Sequence, residues 1–304
     1  MKILFFSLML FTMIDAHAQL TYPTTKKGDT VDEYFGTKVK DDYRWLEDDK
    51  SDETKAWVTA QNKVTFDYLD KMPNRAKFQA AIEKVFNYPK YSAPNRKGEW
   101  YYFYKNNGLQ NQSVLYRQKG LNGKVEEVID PNKLSKEGTT RLTLFGLSKD
   151  GKYAVLGLSE AGTDSQTYKE RDMTTGKDLE DNLDWVKISG AAWSGDGFYY
   201  SRYPAPEKGA SALSVKNENH QVWFHKVGTA QSVDVLIYED KNNPQRFHTA
   251  STSEDEKYLY LNISDRGKGF DGNALWVRDL TSSDKTFKPL IKEVSNSNYG
   301  VIEN

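Results

Sequence analysis

The sequence predicts a mainly β chain made of successive blades of a β-propeller, and two repeated features predict it. A polar turn that runs straight into an aromatic or β-branched strand occurs four times. It reads Asn95-Arg96-Lys97-Gly98-Glu99-Trp100-Tyr101-Tyr102-Phe103, then Ser148-Lys149-Asp150-Gly151-Lys152-Tyr153-Ala154-Val155, then Ala192-Trp193-Ser194-Gly195-Asp196-Gly197-Phe198-Tyr199-Tyr200. The last copy, Ser253-Glu254-Asp255-Glu256-Lys257-Tyr258-Leu259-Tyr260, puts Glu256 where the others carry glycine. A second strand follows each copy: Val114 to Arg117, Thr167 to Glu170, Val222 to His225 and Leu275 to Arg278. Aligning Leu115, Tyr168, Trp223 and Trp276 gives steps of 53, 55 and 53 residues; the turn residues Gly98, Gly151, Gly197 and Glu256 step by 53, 46 and 59. Strands repeating at such a period, with no helix between them, point to propeller blades rather than to a sandwich with common turn residues.

Composition agrees with many short, half-buried strands. Over 304 residues the hydrophobic content is 38%, while aromatics reach 13% with 19 Tyr, 14 Phe and 7 Trp. Disordered chains are poor in aromatics, so this mixture indicates strands with wet loops. Lys and Arg number 42 against 43 Asp and Glu, a formal net charge of −1, so there is no basic field for nucleic acid or an anionic membrane. Cysteine is absent, which excludes disulfides, thiolate metal sites and a cysteine nucleophile.

The first residues read as a targeting device. Met1-Lys2 is a basic start, Ile3 to Ile14 is an apolar run too short to span a bilayer, and Ala16-His17-Ala18 supplies the small residues of a cleavage site. A signal peptide over 1–18, cut after Ala18, is expected, and with it export to a periplasmic or extracellular space. No other segment is able to cross a membrane as a helix.

Residues 19–89 form a helical lead-in. Ser51 or Asp52 caps a helix with Trp57, Val64 and Tyr68 on one face and Leu69 beside them, ended by Met72-Pro73. Asn74 opens a second helix carrying Phe78, Ile82, Val85 and Phe86 at helical spacing, stopped before Pro89. Strands that stack on one another leave these stripes for a partner or a further domain.

From residue 90 to 304 the chain reads as strands and turns. Leu121-Asn122-Gly123-Lys124, Thr174-Thr175-Gly176-Lys177 and Val227-Gly228-Thr229 are hairpin loops after the second strand, and Val125 to Ile129 or Val233 to Tyr238 completes three strands of a blade. Four repeats start between Gly98 and Glu256, too few to close a ring, so an incomplete propeller at the front of a longer protein is expected.

Catalytic signals are missing. An α/β-hydrolase serine needs a Gly-x-Ser-x-Gly elbow; Ser148 and Ser159 have the first glycine, but Asp150 and Ala161 take the closing position. Beyond the signal peptide only His220, His225 and His248 remain, without neighbours at metal-ligand spacing, and His220 and His225 should point to opposite strand faces. A structural or surface role is expected for all three, and no metal. Gly267-Lys268-Gly269-Phe270-Asp271-Gly272 fits a dinucleotide fingerprint in letters alone, since a strand follows where a helix is needed, so no cofactor is expected.

Several motifs carry a resemblance. Asp42-Tyr43-Arg44-Trp45-Leu46-Glu47-Asp48, Tyr88-Pro89-Lys90-Tyr91-Ser92, Asn107 to Tyr116, Val186 to Ser194 and Leu275 to Leu280 are similar, in order, to motifs of the prolyl oligopeptidases, with Asp42 where proline is common. The resemblance runs from about Tyr22 to the last residue. It implies a seven-bladed propeller, of which about four blades are here, and a helical lead-in that packs on an α/β-hydrolase domain lying beyond Asn304. It further implies a serine peptidase cleaving short proline-containing peptides after proline, with the propeller gating access. The Ser, His and Asp of the triad would all lie in the absent part, leaving this chain alone inactive. By motif register, Phe247 and Arg278 are the substrate-lining positions. The alternative from another class is an exported, non-catalytic propeller that binds a partner.

Overall fold

The computed structural model describes residues 20–302 apart from 50, 161 and 206–215, and divides the chain between Ala81 and Ile82. The predicted signal peptide and its cleavage point lie outside the described residues.

In the first unit, β1 (Val31–Tyr34) and β2 (Thr37–Lys40) form a hairpin. The acidic motif after it is a clamp. Arg44 engages Asp32 and Asp41, and Trp45 Nε1 donates to the Lys26 carbonyl at 3.0 Å. Helix α1 (Asp52–Leu69) starts at Ser51, whose hydroxyl accepts from the Thr54 N–H, satisfying one of the open donors of the first turn. Trp57 Nε1 bonds the Thr25 hydroxyl at 3.0 Å, which lays the extended lead-in along α1. Helix α2 (Arg75–Phe86) contains the division point and ends three residues before Pro89, and its Phe78, Ile82, Val85 and Phe86 are all exposed.

The second unit is a series of antiparallel meanders. Blade 1 holds β3 (Lys90–Tyr91), β4 (Asn95–Lys97), β5 (Trp100–Asn106), β6 (Val114–Lys119) and β7 (Val125–Ile129), with β3 and β4 both pairing β5 as two pieces of one edge. Blade 2 holds β8 (Arg141–Leu147), β9 (Tyr153–Ser159), β10 (Gln166–Asp172) and β11 (Lys177–Val186). Blade 3 holds β12 (Ala192–Ser194), β13 (Gly197–Arg202), β14 (Gln221–Lys226) and β15 (Val235–Tyr238). Blade 4 holds β16 (Arg246–Thr252), β17 (Tyr258–Asp265), β18 (Asn273–Asp279) and β19 (Lys288–Ile291). Blades 2 and 3 are linked into one sheet by a single pair, Val186 with Arg202. Each blade thus has four strands, one more than the hairpin pattern revealed: β4, β8, β12 and β16 precede the turns. The expected strand from Val233 begins at Val235, because a 3-10 turn occupies Gln231–Val233.

Successive residues of a strand face opposite sides, and in blades 2 and 3 both sides are buried against neighbouring blades. Ala154 and Leu156 join Tyr102, Leu115 and Ile129 between blades 1 and 2, while Val155, between them, joins Phe198 and Tyr200 between blades 2 and 3. Tyr199, between those two, packs with Leu259, Leu261 and Ile263 of blade 4. The core is therefore a row of seams. Polar ties cross them as well: Arg117 Nη1 donates to the Met173 carbonyl at 2.9 Å, Gly228 N to Glu170 Oε2 at 2.8 Å, and Ser201 Oγ to the His248 carbonyl at 2.8 Å.

The repeated turns come in two forms. In blades 1 and 3 two residues link the strands, Gly98-Glu99 and Gly195-Asp196, with φ of +58° and +59° at the glycines. In blades 2 and 4 a serine and an aspartate organise a longer turn. Ser148 Oγ donates to Asp150 Oδ1 and accepts from Tyr153 N, and Asp150 Oδ1 accepts from Lys152 N; Ser253, Asp255, Lys257 and Tyr258 repeat the pattern. The left-handed positions are Gly98, Gly151, Gly195 and Glu256, so the sequence alignment on Gly197 is two residues late. Gly197 is needed for closeness instead, since a Cβ there would lie 2.2 Å from the His225 carbonyl. Glu256 holds φ +60° without a glycine's freedom, and its Oε2 accepts from Gly195 N at 2.8 Å across the seam. Substituting Gly197→Ala should lower unfolding free energy by about 3 kcal/mol, the range of an overpacked core, and Gly195→Ala by about 1 kcal/mol through φ alone. Urea midpoints of the two variants check the difference, and equal shifts would contradict this account of the turn.

Candidate functional site

Where the first strands of the blades start and the second strands end, a basin of about 1100 Å³ opens among them, with Gln112, Arg141, Gln166, Lys187, Tyr203 and Arg266 in its wall. The loop from Asn107 to Ser113 forms one side and is held from within. Asn106 Nδ2 donates to the Gln110 carbonyl, while Gln112 N donates to Asn132 Oδ1 at 3.0 Å and its carbonyl accepts from Asn132 Nδ2 at 2.9 Å. The conspicuous amides of this motif therefore replace strand hydrogen bonds in a wall that must be irregular.

The opposite side is cationic. Arg266 Nη2 donates to the Asn217 carbonyl at 3.2 Å and to Gln245 Oε1 at 2.9 Å, both neutral partners. Lys187 Nζ lies 3.4 Å from Asn217 Oδ1 and 3.6 Å from Asp164 Oδ2. Lys187 stands between two strained residues, Trp185 at φ +62° and Ile188 at φ +50°. A β-branched side chain in the left-handed region is costly and persists only where surrounding contacts impose it. Here His220 Nε2 bonds the Lys187 carbonyl at 2.8 Å and fixes that crossing.

The two residues singled out from sequence are separated. Phe247 sits near the start of β16, paired with Ser264, and the Arg266 guanidinium lies 5.1 Å above its ring, so it adjoins the basin wall. Arg278 is near the end of β18, paired with Leu259. The β17 partners Ser264 and Leu259 are five residues apart, about 17 Å along a strand. Arg278 faces the other end of the blade, beside Tyr199, and its Nε is buried without a hydrogen-bond partner. Lys187, Arg266 and Arg141 were not legible, being single charges distributed over 126 residues of sequence.

His220, His225 and His248 are each fully buried and structural, and none of these three is on the surface. His220 Nδ1 accepts from the His248 N–H at 3.0 Å, so its Nε2 carries the proton donated to Lys187. His248 Nδ1 in turn donates to the His220 carbonyl at 2.6 Å. His225 occupies the seam between blades 2 and 3, with Nδ1 2.7 Å from Asp234 Oδ1 and Nε2 3.3 Å from Glu170 Oε1. Tyr200 donates to the other oxygen of Asp234 at 2.7 Å. Glu170 lies 55 residues away in sequence, which is why the spacing of carboxylates around His225 gave no signal. Among the described residues, no group of three or more histidines and acids is arranged to hold a metal ion. The glycine-rich stretch from Gly267 is the β17–β18 hairpin loop, its amides at Gly267 and Lys268 capped by Asp265.

These blades, their seams and the basin at one end define a propeller domain. Residues 22–304 match the family described as prolyl oligopeptidase, N-terminal beta-propeller domain, and the chain belongs to that family. It is 43% identical over 285 residues to a prolyl endopeptidase of Elizabethkingia miricola, covering 93% of this chain and 39% of that protein. It is also 35% identical over 317 residues to a dual function macrocyclase-peptidase of Galerina marginata, covering 93% and 42%. Among solved structures, prolyl oligopeptidase B from Galerina marginata bound to a 25mer macrocyclization substrate superposes with a TM-score of 0.76 at 32% identity, over 93% of this chain and 43% of that one. The chain thus spans about two fifths of the length of these relatives.

The histidines set the pH response of stability. Burial lowers the pKa of His225, but the hydrogen bond to Asp234 and the Glu170 carboxylate 3.3 Å away outweigh it and hold it up at about 9, above the ordinary 6.5. Stability from this ion cluster is present below pH 6.5 and is lost as pH rises through about 9. Burial drives His220 down to about 4, so its contribution is lost as pH falls from 6.5 through about 4. The urea midpoint should therefore peak near pH 6.5. His225→Gln should be destabilised by about 3 kcal/mol at that pH and should lose the decline toward pH 9; a variant that keeps the same decline would refute the assignment.

Proposed function

We propose that this chain is the gating, N-terminal part of an exported serine peptidase that cleaves short peptides on the carboxyl side of proline. The family match across residues 22–304 carries the reading. An extended peptide fits a basin of this size at the end of the blades, whereas a folded protein does not. Phe247 contacts the amino side of the peptide from the basin rim, and Arg278 lines the route at the other end of blade 4. In such a peptidase a serine attacks the carbonyl, a histidine moves the proton and an aspartate orients the histidine, with no cofactor required. His220, His225 and His248 are unsuited to that role, because their hydrogen bonds run to backbone carbonyls, a backbone amide and carboxylates rather than to a serine hydroxyl. The triad lies in an α/β-hydrolase domain outside these residues, and the exposed stripe Phe78, Ile82, Val85 and Phe86 is made to pack on it. Signal removal after Ala18 sends the protein out of the cytoplasm.

The protein isolated from its source should have a mass well above the 34.8 kDa of this chain, begin at Gln19 and release p-nitroaniline from a blocked Gly-Pro anilide. The matching Gly-Ala anilide should be cleaved at least about a hundredfold more slowly, as when a pocket loses its specific fit. The 304-residue chain alone should release none. Cleavage by that chain alone, or full-length protein indifferent to proline, would overturn the proposal.

A further inference from the structure

The basin wall is far more positive than the chain it belongs to. Its charged lining consists of Arg141, Lys187 and Arg266 against Asp164, a net of +2, while the whole chain carries −1. The rest of the wall is neutral, chiefly Thr, Asn, Gln and Gly, so nothing else in the described lining offsets those cations. Lys187 and Arg266 are moreover held together. Asn217 accepts from Lys187 through its side-chain oxygen and from Arg266 through its carbonyl, so one residue sets the separation of the two cations. Arg266 is further oriented by Gln245 and by the Phe247 ring, and Lys187 by the strained crossing at Trp185 and Ile188. Glu218 is engaged by Gln245 Nε2 and is not in the basin lining.

The remaining acid is poorly placed to neutralise this pair. Asp164 is 84% exposed at its side chain and stands 3.6 Å from Lys187, whose own side chain is only 18% exposed. An exposed partner at that distance contributes little, because water screens it and the side chain must be held still to interact. A carboxylate arriving from a ligand could displace Asp164 and meet Lys187, whose less exposed site lets the same charges attract more strongly, with the exposed Arg266 guanidinium reaching it from the solvent side.

We infer that Lys187 and Arg266, bridged by Asn217, form a carboxylate-binding subsite that makes the basin select peptides bearing negative charge, with Arg141 steering them in. This rests on the reading that the basin receives peptide. The carboxylate can come from an acidic side chain or from the free C-terminus of a short peptide; both present the same planar group to the arginine fork. The preference adds to proline specificity and acts at a distance from the bond cleaved.

The test is binding to this chain of fluorescent heptapeptides with a central proline, read by anisotropy at 50 and 300 mM NaCl. Four probes are compared: amidated peptides carrying two Glu, two Gln or two Lys, and the Gln peptide with a free C-terminus. The Glu peptide should bind about tenfold more tightly than the Gln peptide at low salt and lose most of that advantage at high salt. A gain for the free-acid Gln peptide would assign the carboxylate to the C-terminus; a gain for the Glu peptide alone would assign it to side chains. Lys187→Gln and Arg266→Gln should each remove about fivefold of the preference. Asp164→Asn, at an exposed site that leaves the fold intact, should instead raise affinity for the acidic peptide about threefold. Equal binding of the Glu, Gln and Lys peptides would overturn the charge preference and leave the peptide reading standing. Failure of every peptide to bind would overturn the peptide reading of the basin and this inference with it.

Discussion

Burial of both faces of the inner blades, 2 and 3, is the constraint on which the rest of this structure depends. A two-sided strand cannot be satisfied by one neighbour, and residues such as Val155 and Tyr199, each flanked by residues pointing the other way, need a blade on either side. Fully burying a side chain of this size contributes about 1.5–3 kcal/mol, so three seams of such residues outweigh any single polar contact in the domain. The glycines and serines of the turns serve this arrangement by letting the strands change direction without separating the blades. It also explains why composition looks poor in hydrophobics: a narrow row of seams needs few large aliphatic residues and uses aromatics to fill them.

Charge is placed with the same economy. Glu170, His225 and Asp234 put ionisable groups inside a seam, where they are tolerable only as a bonded set with Tyr200 and Gly228 N completing it. Such a cluster adds little net stability over an apolar filling of equal size. Its directional bonds do specify one way for blade 2 to meet blade 3, which two smooth apolar faces would leave freer. At the basin the opposite choice is made: Lys187 and Arg266 are met by neutral groups and one exposed acid, leaving positive potential available to a ligand.

Much of this could be read from the order of residues. The blade period survived because Leu115, Tyr168, Trp223 and Trp276 sit in the third strand of each blade, where packing on both sides forbids insertions. The first strands were missed because β8 and β16 hold only part of the alternating pattern, their residues being half-buried rather than cleanly in or out. Gly197 was aligned with the turn glycines although its function is close approach, and a letter does not say which property of glycine is in use. Phe247 and Arg278 each carried a register, but register along separate strands does not say which end of a blade a side chain occupies.

From sequence alone came the mainly β class, the number of repeats, the family, and the exclusion of cysteine chemistry, because these depend on composition and on patterns along one strand. Tertiary structure decided which distant residues meet: Glu170 with His225 over 55 positions, Lys187 with Arg266 through Asn217, and Glu256 with the turn of the preceding blade. The physical reason is that a seam or a basin wall is assembled from several blades, and a contact between blades leaves no periodic trace in either one.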